Sequence, residues 1–470
     1  MIVRIVGGFK MIKLRKVTEP ILDNNLEPVM LSDETMAYRK TRVLSRMLQE
    51  GLDAIVIYAD VEHGHNFAYL TGFLPRFEEA LLILYSDGNA EIILGNENLN
   101  KAQYSRIKVN TIHLPHLSLP NQPMETNCSI IETLKATMLD KTNKIGIVGW
   151  KNFTSKFENN ETLFDIPYFL MESIKALFPD KEFVNATRLF IGNDGARIQN
   201  NANEIAHYEF GAALAGNCIM NTMNKIEEGI SEIELASSLS MYGQTHNVVT
   251  IMSTGKRFEY ANLYPTSKKV KVKDKISMTT GYKGGLQSRN GYAICNEQQL
   301  PIAESDYLER MAIPYFNAIK VWLESISIGM SGDEMYQVIE GVLPKSEYGW
   351  TLNPGHLCAD EEWLSSPIYP RSSEIIQSGM LFQVDIIPSV SGYAGASCES
   401  GIVIANEVLR NEIKDQYPLI WERIRKRREY IINELGIHIS EEILPTSCAT
   451  AYFRPFLLNK EMALSSVVED

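Results

Sequence analysis

A motif that occurs twice constrains the fold of this chain more than any other feature. Gly229-Ile-Ser-Glu-Ile-Glu-Leu235 and Gly329-Met-Ser-Gly-Asp-Glu-Met335 share the pattern G-[IM]-S-x-x-E-[LM], 100 residues apart. In each copy the serine is placed to cap a helix, and the glutamate three residues later completes a capping box. A long helical segment precedes each copy (203–227 and 304–326), and a further helix follows. The matching contexts predict a duplicated structural unit.

Each copy of the repeat leads into a predicted β-hairpin. The strands and return strands of the two hairpins are predicted at 274–279, 291–295, 379–385 and 399–404. Thr279 and Asp385 then occupy equivalent positions, and so do Asn290 and Glu399. We expect the two pseudo-symmetric hairpins to curve around one shared cavity, with these four side chains facing into it.

The first part of the chain alternates between strand and helix patterns. The predicted helices are 34–50 and 164–178, and the predicted strands are 52–58, 80–85, 91–94 and 145–148. Ser86-Asp87-Gly88 has the composition of a hairpin turn between two of these strands. The pattern predicts an α/β domain with a mixed sheet over residues 1–190. A second domain is predicted at 191–470, and it begins with a polar, turn-rich segment at 192–201 that suits a linker.

Composition excludes several functional classes. The 470 residues carry a net charge of −13, which is unfavourable for nucleic acid or anionic membranes, because such partners select for Lys and Arg patches. No apolar run approaches the roughly 20 residues of a membrane span. The start, Met1 to Lys10, fails as a signal peptide because it is short and has no small-residue cleavage site. The six cysteines show no CxxC spacing, so neither a disulfide framework nor a zinc finger is expected. These features predict a cytoplasmic protein.

Several motifs occur in an order and at spacings that together are typical of one family. They are Asn66-Phe-Ala-Tyr-Leu-Thr-Gly-Phe73, Ala196-Arg-Ile-Gln-Asn-Asn-Ala-Asn-Glu-Ile205, Pro354-Gly-His356, Gly379-Met380 and Cys398-Glu399-Ser-Gly-Ile-Val403. Through them the chain resembles the creatinase/prolidase/aminopeptidase P superfamily, peptidase family M24, over nearly its whole length. The resemblance implies an α/β N-terminal domain, an α+β pita-bread C-terminal domain with a pseudo-two-fold repeat, and a homodimer. It also implies hydrolysis of a C–N bond in a small nitrogenous or peptide-like substrate.

The resemblance also implies where metal ligands are expected. Peptidases of this family bind two metals through Asp, Asp, His, Glu and Glu, and those places hold Thr279, Asn290, His356, Asp385 and Glu399. Two further family histidines, one of them on the substrate side, fall on Asn262 and Trp363. The resemblance implies that Asn262, Trp363, Thr279 and Asn290 contact the substrate. The sequence therefore departs from the family at two of five ligands and at both auxiliary histidines. A divalent metal pair needs several anionic oxygens, so ordinary dinuclear chemistry is not expected.

Three functions remain open at this point. The first resembles metal-free creatinase: His356 transfers protons, Asp385 and Glu399 hold a cationic group, and Arg76 or Arg289 binds a carboxylate. The second is a mononuclear Xaa-Pro peptidase with one manganese or zinc ion on His356, Asp385 and Glu399. The third is a non-catalytic protein that binds a small ligand in the same pocket.

Several residues beside these carry a functional interpretation and a structural one. Tyr282 and Arg289 flank the first hairpin, where they either line the pocket or pack the strands. Arg289 is also placed to neutralise Asp385 and Glu399 in an inert buried ion pair. Two cysteines near His356 and Glu399, Cys358 and Cys398, are interpreted as buried thiols rather than nucleophiles.

Overall fold

A computed structural model of the chain describes residues 10–124 and 129–468. Cys128 and residues 1–9, most of the start that fails as a signal peptide, lie outside the described residues. Strand β1 (Lys10–Lys16) begins the described chain. Two compact units follow from the packing: one is Leu31–Ile198, and the other joins the described residues up to Met30 with those from Gln199 on. The predicted domain boundary between residues 190 and 191 remains a prediction, because compact units describe packing rather than independent folding.

The unit Leu31–Ile198 contains a six-stranded sheet with helices packed against it. Its helices and strands are α1 Asp33–Gln49, β2 Ala54–Ala59, α2 His65–Thr71, β3 Ala80–Tyr85, β4 Ala90–Leu94, β5 Asn110–His113, α3 Ile130–Lys135, β6 Lys144–Val148, α4 Tyr168–Leu177 and β7 Glu182–Asn185. The strand order is β5-β4-β3-β2-β6-β7. Neighbours of β3 are antiparallel, whereas β2–β6, β4–β5 and β6–β7 are parallel. The predicted mixed sheet is confirmed.

The central strands of this sheet are apolar along their whole length because both faces are covered. Every residue of β2 and β3 is buried, and the core on one side gathers Val56, Leu81 and Ile83 with Leu170 and Ile174 of α4. A strand buried on both faces has a continuous apolar sequence rather than an alternating one. This is why the sequence locates β2 and β3 well.

The other unit contains the internal repeat. Its helices and further strands are α5 Ala202–Lys225, α6 Glu232–Ala236, β8 Ile251–Thr254, α7 Lys256–Glu259, β9 Lys275–Tyr282, β10 Gly285–Tyr292, α8 Ile313–Ser325, α9 Gly332–Val342, α10 Lys345–Tyr348, β11 His356–Leu357, β12 Leu381–Gln383, β13 Ser397–Glu399, β14 Gly401–Ile404, α11 Glu407–Gln416, α12 Pro418–Asn433, β15 Ile443–Pro445 and β16 Met462–Val468. They form sheets in the orders β13-β10-β9-β8 and β11-β12-β14-β15, while β1 pairs with β16.

Both copies of the repeated motif form capping boxes. The hydroxyl of Ser231 accepts from the Glu234 amide, and the hydroxyl of Ser331 accepts from the Glu334 amide, with each glutamate bonding back to the serine amide. The long helices before them are α5 and α8, although the second begins with a π-helical turn at Leu308–Ala312. The duplicated unit predicted from the sequence is confirmed.

The first hairpin differs from its prediction. The return strand is β10, not 291–295, because the chain turns at once through Lys283 and Gly284. Gly284 has φ +93°, and a Cβ there would lie 2.3 Å from the Tyr208 carbonyl oxygen, so this turn requires glycine. The register places Thr279 opposite Ser288. None of the helices in the described part of the chain is long and apolar enough to cross a membrane.

Candidate functional site

His356 lies at the start of β11 and is completely buried. Its Nδ1 faces the carbonyl oxygen of Leu357 at 3.2 Å. Its ring stacks on Trp363, with centroids 4.1 Å apart and planes 21° apart. These contacts fix the ring plane and leave Nε2 as the atom that faces the site.

Glu362 contacts that atom, and the sequence-based prediction missed it. Its Oε1 lies 3.0 Å from His356 Nε2. Ligand atoms of His356, Glu362 and Glu399 all lie within 4.8 Å of one another. The signal available in the sequence was the acidic run 360–362, which follows His356 closely. Its loop position gave no strand or helix pattern from which its direction could be read.

Asp385 and Glu399 lie beside this pair, as the sequence predicts. Both are buried, at 5% and 6% exposure, and Asp385 Oδ2 is 3.9 Å from His356 Nε2. Gln383, the last residue of β12, donates from Nε2 to Glu399 Oε1 at 3.3 Å and to the Leu286 carbonyl at 2.9 Å. Gln383 therefore orients the carboxylate of Glu399.

The electrostatics of the site favour a positive charge. Burial raises the pKa of Asp385 to about 6; the His356 imidazole opposes this and Glu362 adds to it. Burial, with Asp385 and Glu362 nearby, raises the pKa of Glu399 well above its usual range. Burial lowers the pKa of His356, but the Glu362 carboxylate outweighs it and leaves that pKa raised. The raised pKa values of Asp385, Glu399 and His356 mean that these three groups hold protons more tightly than in water.

The first hairpin presents neutral side chains to the same face of the sheet as Glu399. Residues opposite one another in an antiparallel sheet share a face. The paired residues form two rows, with Thr279, Ser288 and Glu399 in one and Ser277, Asn290 and Ser397 in the other. Within the first row, Thr279 Oγ1 donates to Ser288 Oγ at 3.0 Å.

The register corrects one predicted equivalence. Gln383 pairs with Gly401 and the Val384 amide donates to the Ser400 carbonyl, so Asp385 lies opposite Glu399 in the second hairpin. Because Thr279 lies opposite Ser288 in the first, Ser288 rather than Asn290 is the counterpart of Glu399. Asn290 lies two residues further along, still on the shared face. The predicted equivalence was wrong because the return strand was predicted at 291–295, whereas β10 begins at Gly285.

Arg289 and Tyr282 lie on the other face of the hairpin. The Arg289 guanidinium donates to the backbone oxygens of Glu399 and Ala449, at 2.9 Å and 2.5 Å, and not to a carboxylate. Tyr282 accepts from the Met241 amide at its hydroxyl and stacks on His246. Both therefore support the strands structurally. Among the described residues, no Lys or Arg forms an ion pair with Asp385 or Glu399, so the predicted inert ion pair is absent there.

Of the remaining predicted residues, Trp363 contacts His356, and Asn262 and Arg76 are exposed. Trp363 touches His356 and is 36% exposed. Asn262 is exposed in the loop after α7, and its carbonyl accepts from the Ser253 hydroxyl. Arg76 is exposed on the unit Leu31–Ile198, with its guanidinium 6.0 Å from the Phe77 ring centroid. The substrate-binding roles of Asn262 and Arg76 remain predictions.

Cys358 and Cys398 are buried free thiols, as predicted. Burial raises the pKa of Cys398 to about 11 and that of Cys358 well above its usual range. A nucleophilic thiol needs a depressed pKa, so neither fits that role.

Comparisons with known proteins agree with this architecture. The Creatinase/Prolidase N-terminal domain family matches residues 39–192. The uncharacterized peptidase YqhT of Bacillus subtilis (strain 168) is 23% identical over 368 residues, 76% of this chain and 92% of that protein. Residues 39–192 therefore match a Creatinase/Prolidase N-terminal domain, and the chain over most of its length is similar to a bacterial peptidase.

Solved structures show the same fold over most of the chain. An Xaa-Pro dipeptidase from Bacillus anthracis superposes with a TM-score of 0.60 at 18% identity, covering 79% of this chain and 96% of that one. The prolidase from Pyrococcus horikoshii OT3 gives a TM-score of 0.59 at 18% identity, covering 78% and 95%. The predicted pita-bread architecture is confirmed.

The side chains present do not fit the superfamily's two-metal site, but they fit a single ion. Thr279, Ser288 and Asn290 supply no anionic oxygen on the first hairpin. By contrast, one imidazole nitrogen and two carboxylates gather at His356, Glu362 and Glu399. His356 Nε2 lies 3.0 Å from Glu362 Oε1, so a cation that displaces the Nε2 proton would meet both the imidazole lone pair and this carboxylate. One nitrogen and two carboxylate oxygens are a common ligand set for a single divalent ion.

Proposed function

We propose that this protein hydrolyses a C–N bond in a small peptide-like or nitrogenous substrate bound at the His356 site. The observation that carries the proposal is the buried imidazole surrounded by Glu362, Asp385 and Glu399 on a creatinase/prolidase fold. Buried carboxylates without a positive partner are costly, so such a cluster is retained where a cation completes it.

In the first form of this proposal, His356, Glu362 and Glu399 hold one divalent ion. Such an ion would supply Lewis-acid chemistry toward a carbonyl oxygen and a water molecule. Asp385, 3.9 Å from His356 and outside that set of three, accepts the proton of the attacking water and returns it to the leaving nitrogen. Gln383 keeps Glu399 turned toward His356. Trp363 excludes water from one face of the imidazole.

The second form is metal-independent, as the sequence resemblance to creatinase suggests. Here the positive charge belongs to the substrate, and Asp385 and Glu399 bind its ammonium or guanidinium N–H groups. His356 moves the proton between water and the leaving nitrogen. The shortage of anionic side chains on the first hairpin favours this form.

Metal analysis with activity separates the two forms. Purified protein loaded with Mn²⁺ or Zn²⁺ is dialysed, analysed for metal and assayed on Xaa-Pro dipeptides, N-terminal amides and guanidino acids before and after chelation. One ion per chain and reversible loss of activity support the first form; activity that persists without metal supports the second. His356→Ala is expected to abolish hydrolysis in both. An undiminished rate in that variant, or no turnover of any of these substrates by the wild type, contradicts the proposal.

Arg76 has a separate role in this proposal. We keep the expectation that the chain forms a homodimer and that Arg76 of one protomer binds a substrate carboxylate in its partner. Arg76→Ala is then expected to raise KM for substrates with a free carboxylate and to leave amidated substrates unaffected. Equal effects on both substrate classes exclude the carboxylate role.

A further inference from the structure

We infer that Glu362 completes a single divalent-cation site with His356 and Glu399, taking the place of the acids that the first hairpin lacks. The inference rests on the site named in the proposed function and deepens it. Neither the repeated hairpins nor the superfamily's ligand pattern includes position 362, so this ligand is a property of the present chain.

The orientation of the His356 ring is the first argument. Its Nδ1 lies 3.2 Å from the Leu357 carbonyl oxygen, which only accepts hydrogen bonds, so Nδ1 carries the proton. In the neutral ring Nε2 then has a lone pair, and it lies 3.0 Å from Glu362 Oε1 without the alignment of a hydrogen bond. Two electron pairs that face each other at this distance need a positive charge between them: a proton on Nε2 in the metal-free protein, or a divalent ion that displaces this proton and is held also by Glu399. A backbone carbonyl on the second nitrogen is the usual support of a metal-bound histidine.

The loop that carries Glu362 is firmly held. Hydrogen bonds from the Leu357 amide to Ser365 and from the Leu364 amide to Leu357 close its base. At its tip, Asp360 accepts from the Tyr208 hydroxyl at 3.0 Å and pairs with Lys283 at 2.7 Å. Glu362 is thus a positioned side chain and not a loose surface acid.

The anchor of this loop is the first hairpin itself. Lys283 and Gly284 form the β9–β10 turn, and the Gly284 amide donates to the Ala359 carbonyl at 2.7 Å. The hairpin whose own positions 279 and 290 are neutral therefore holds the loop that supplies an acid. This contact is made by the same two-residue glycine turn that makes the return strand β10 begin earlier than predicted.

The ligand set defines the class of ion. One imidazole nitrogen with two carboxylate oxygens suits Mn²⁺, Fe²⁺ or Zn²⁺, whereas Ca²⁺ and Mg²⁺ prefer oxygen ligands alone. Asp385 lies near enough to balance the remaining charge. The neutral first hairpin gives no second ion a set of ligands, so one ion per chain is expected.

Metal titration without any activity measurement tests the assignment. Full-length protein is first freed of metal with a chelator, which is then removed. Mn²⁺ is added stepwise, and its binding is measured by calorimetry and by electron paramagnetic resonance of the unbound ion. We expect one ion per chain in the wild type, and an affinity at least about 10-fold weaker in Glu362→Gln. Glu361→Gln, which removes the neighbouring charge, is the matched control and is expected to bind as the wild type does. Thermal melting of the chelated proteins establishes that both variants fold.

Three results overturn the inference: no bound ion in the wild type, two bound ions, or equal affinity in Glu362→Gln and the wild type. Its failure is distinct from that of the proposed function. Hydrolysis by a wild-type protein that binds no ion leaves the proposed function standing in its metal-independent form while the inference fails. One ion bound through Glu362 without turnover of any substrate leaves the inference standing while the proposed function fails.

Discussion

At the scale of single residues, Gln383 connects the two halves of the site. Its amide bonds both the Glu399 carboxylate and the Leu286 carbonyl at the first hairpin, and the residue itself pairs with His356 across β11 and β12. We predict that Gln383→Met, which keeps the volume but removes the donor, weakens Mn²⁺ binding and kcat/KM by about 10-fold each. Calorimetry and steady-state kinetics measure the two effects. Unchanged values for both quantities contradict an orienting role.

The carboxylates of the site are expected to reduce the stability of the protein when no cation is bound. Asp385 is buried beside Glu399 and Glu362, and burial raises its pKa to about 6. We predict that Asp385→Asn increases the free energy of unfolding of the chelated protein at pH 8, by about 2 kcal/mol, because it removes a buried like charge. Urea unfolding of the two chelated proteins measures the difference. The same variant is expected to lose hydrolysis. If Asp385→Asn instead lowers the free energy of unfolding, the Asp385 charge is compensated in the wild-type protein and the prediction is wrong.

At the scale of secondary-structure elements, the neutral side chains of the β9–β10 hairpin are expected to limit the proposed site to one cation. Thr279 and Asn290 lie on the face that also carries Glu399, and both are neutral. We predict that the double variant Thr279→Asp, Asn290→Asp raises Mn²⁺ stoichiometry from one toward two ions per chain, because it restores the missing anionic oxygens. Metal analysis after dialysis measures the stoichiometry. The isosteric Thr279→Val, Asn290→Leu variant is the control and is expected to stay at one.

The effect of the two added acids on the melting temperature is an independent test of the same prediction. Without metal, two more carboxylates on the face that carries Glu399, one of them at the buried position 279, repel the existing acids, so the metal-free double variant is expected to melt at a lower temperature than the wild type. Adding Mn²⁺ should restore most of that loss. If Mn²⁺ does not raise the melting temperature, the two positions do not face a common site.

The hairpin also shows what the sequence can and cannot specify. Capping boxes at Ser231 and Ser331 and the strands β2 and β3 are local or strongly patterned signals, so they are located correctly. The register of β9 with β10 depends on the two-residue turn, and shifting the return strand made Asn290 rather than Ser288 the predicted counterpart of Glu399. A pairing error in a strand changes which residues lie opposite one another.

Glu362 was missed for a different reason. Its loop has no periodicity, and its direction depends on the contacts of Asp360 with Tyr208 and Lys283, which are distant in the sequence. The motifs predicted His356, Asp385 and Glu399 as site residues, and these lie on or beside the strands β11, β12 and β13. A site residue that lies on a loop can therefore be located only from the tertiary structure.

At the scale of the whole molecule, a buried ion network connects the N-terminal segment with two helices of the same unit. Glu209 of α5 accepts from Arg423 of α12 at 2.6 Å and from Arg427 at 2.6 Å, and Arg427 also bonds Asp23 at 2.9 Å. All four side chains are at most 8% exposed. Removing one member of such a network leaves an unpaired charge in the interior. The network therefore joins the segment before Met30 to α5 and α12 within the unit that carries the site.

The pH dependence of this network can be predicted from the pKa of Glu209. Burial raises that pKa, but Arg427 and Arg423 outweigh burial and leave it lowered. A lowered folded-state pKa means that the unfolded chain binds the proton more readily. The stabilisation is therefore complete above the ordinary glutamate value and is lost as the pH falls through the folded-state pKa. Burial raises the pKa of Asp23, which acts in the opposite direction.

We predict that Glu209→Gln lowers the free energy of unfolding at pH 7 by about 3 kcal/mol, because it leaves Arg423 and Arg427 without their shared carboxylate. The difference from the wild type should shrink as the pH falls below the ordinary glutamate value, since the wild type then loses the same charge. Urea unfolding at a series of pH values measures both effects. The exposed pair of Arg425 and Glu429, also on α12, offers the control: Glu429→Gln is expected to change stability by less than about 1 kcal/mol at every pH, because solvent screens exposed pairs. A constant difference between Glu209→Gln and the wild type across this range means that the carboxylate does not provide the stabilisation, and that the loss comes from packing alone.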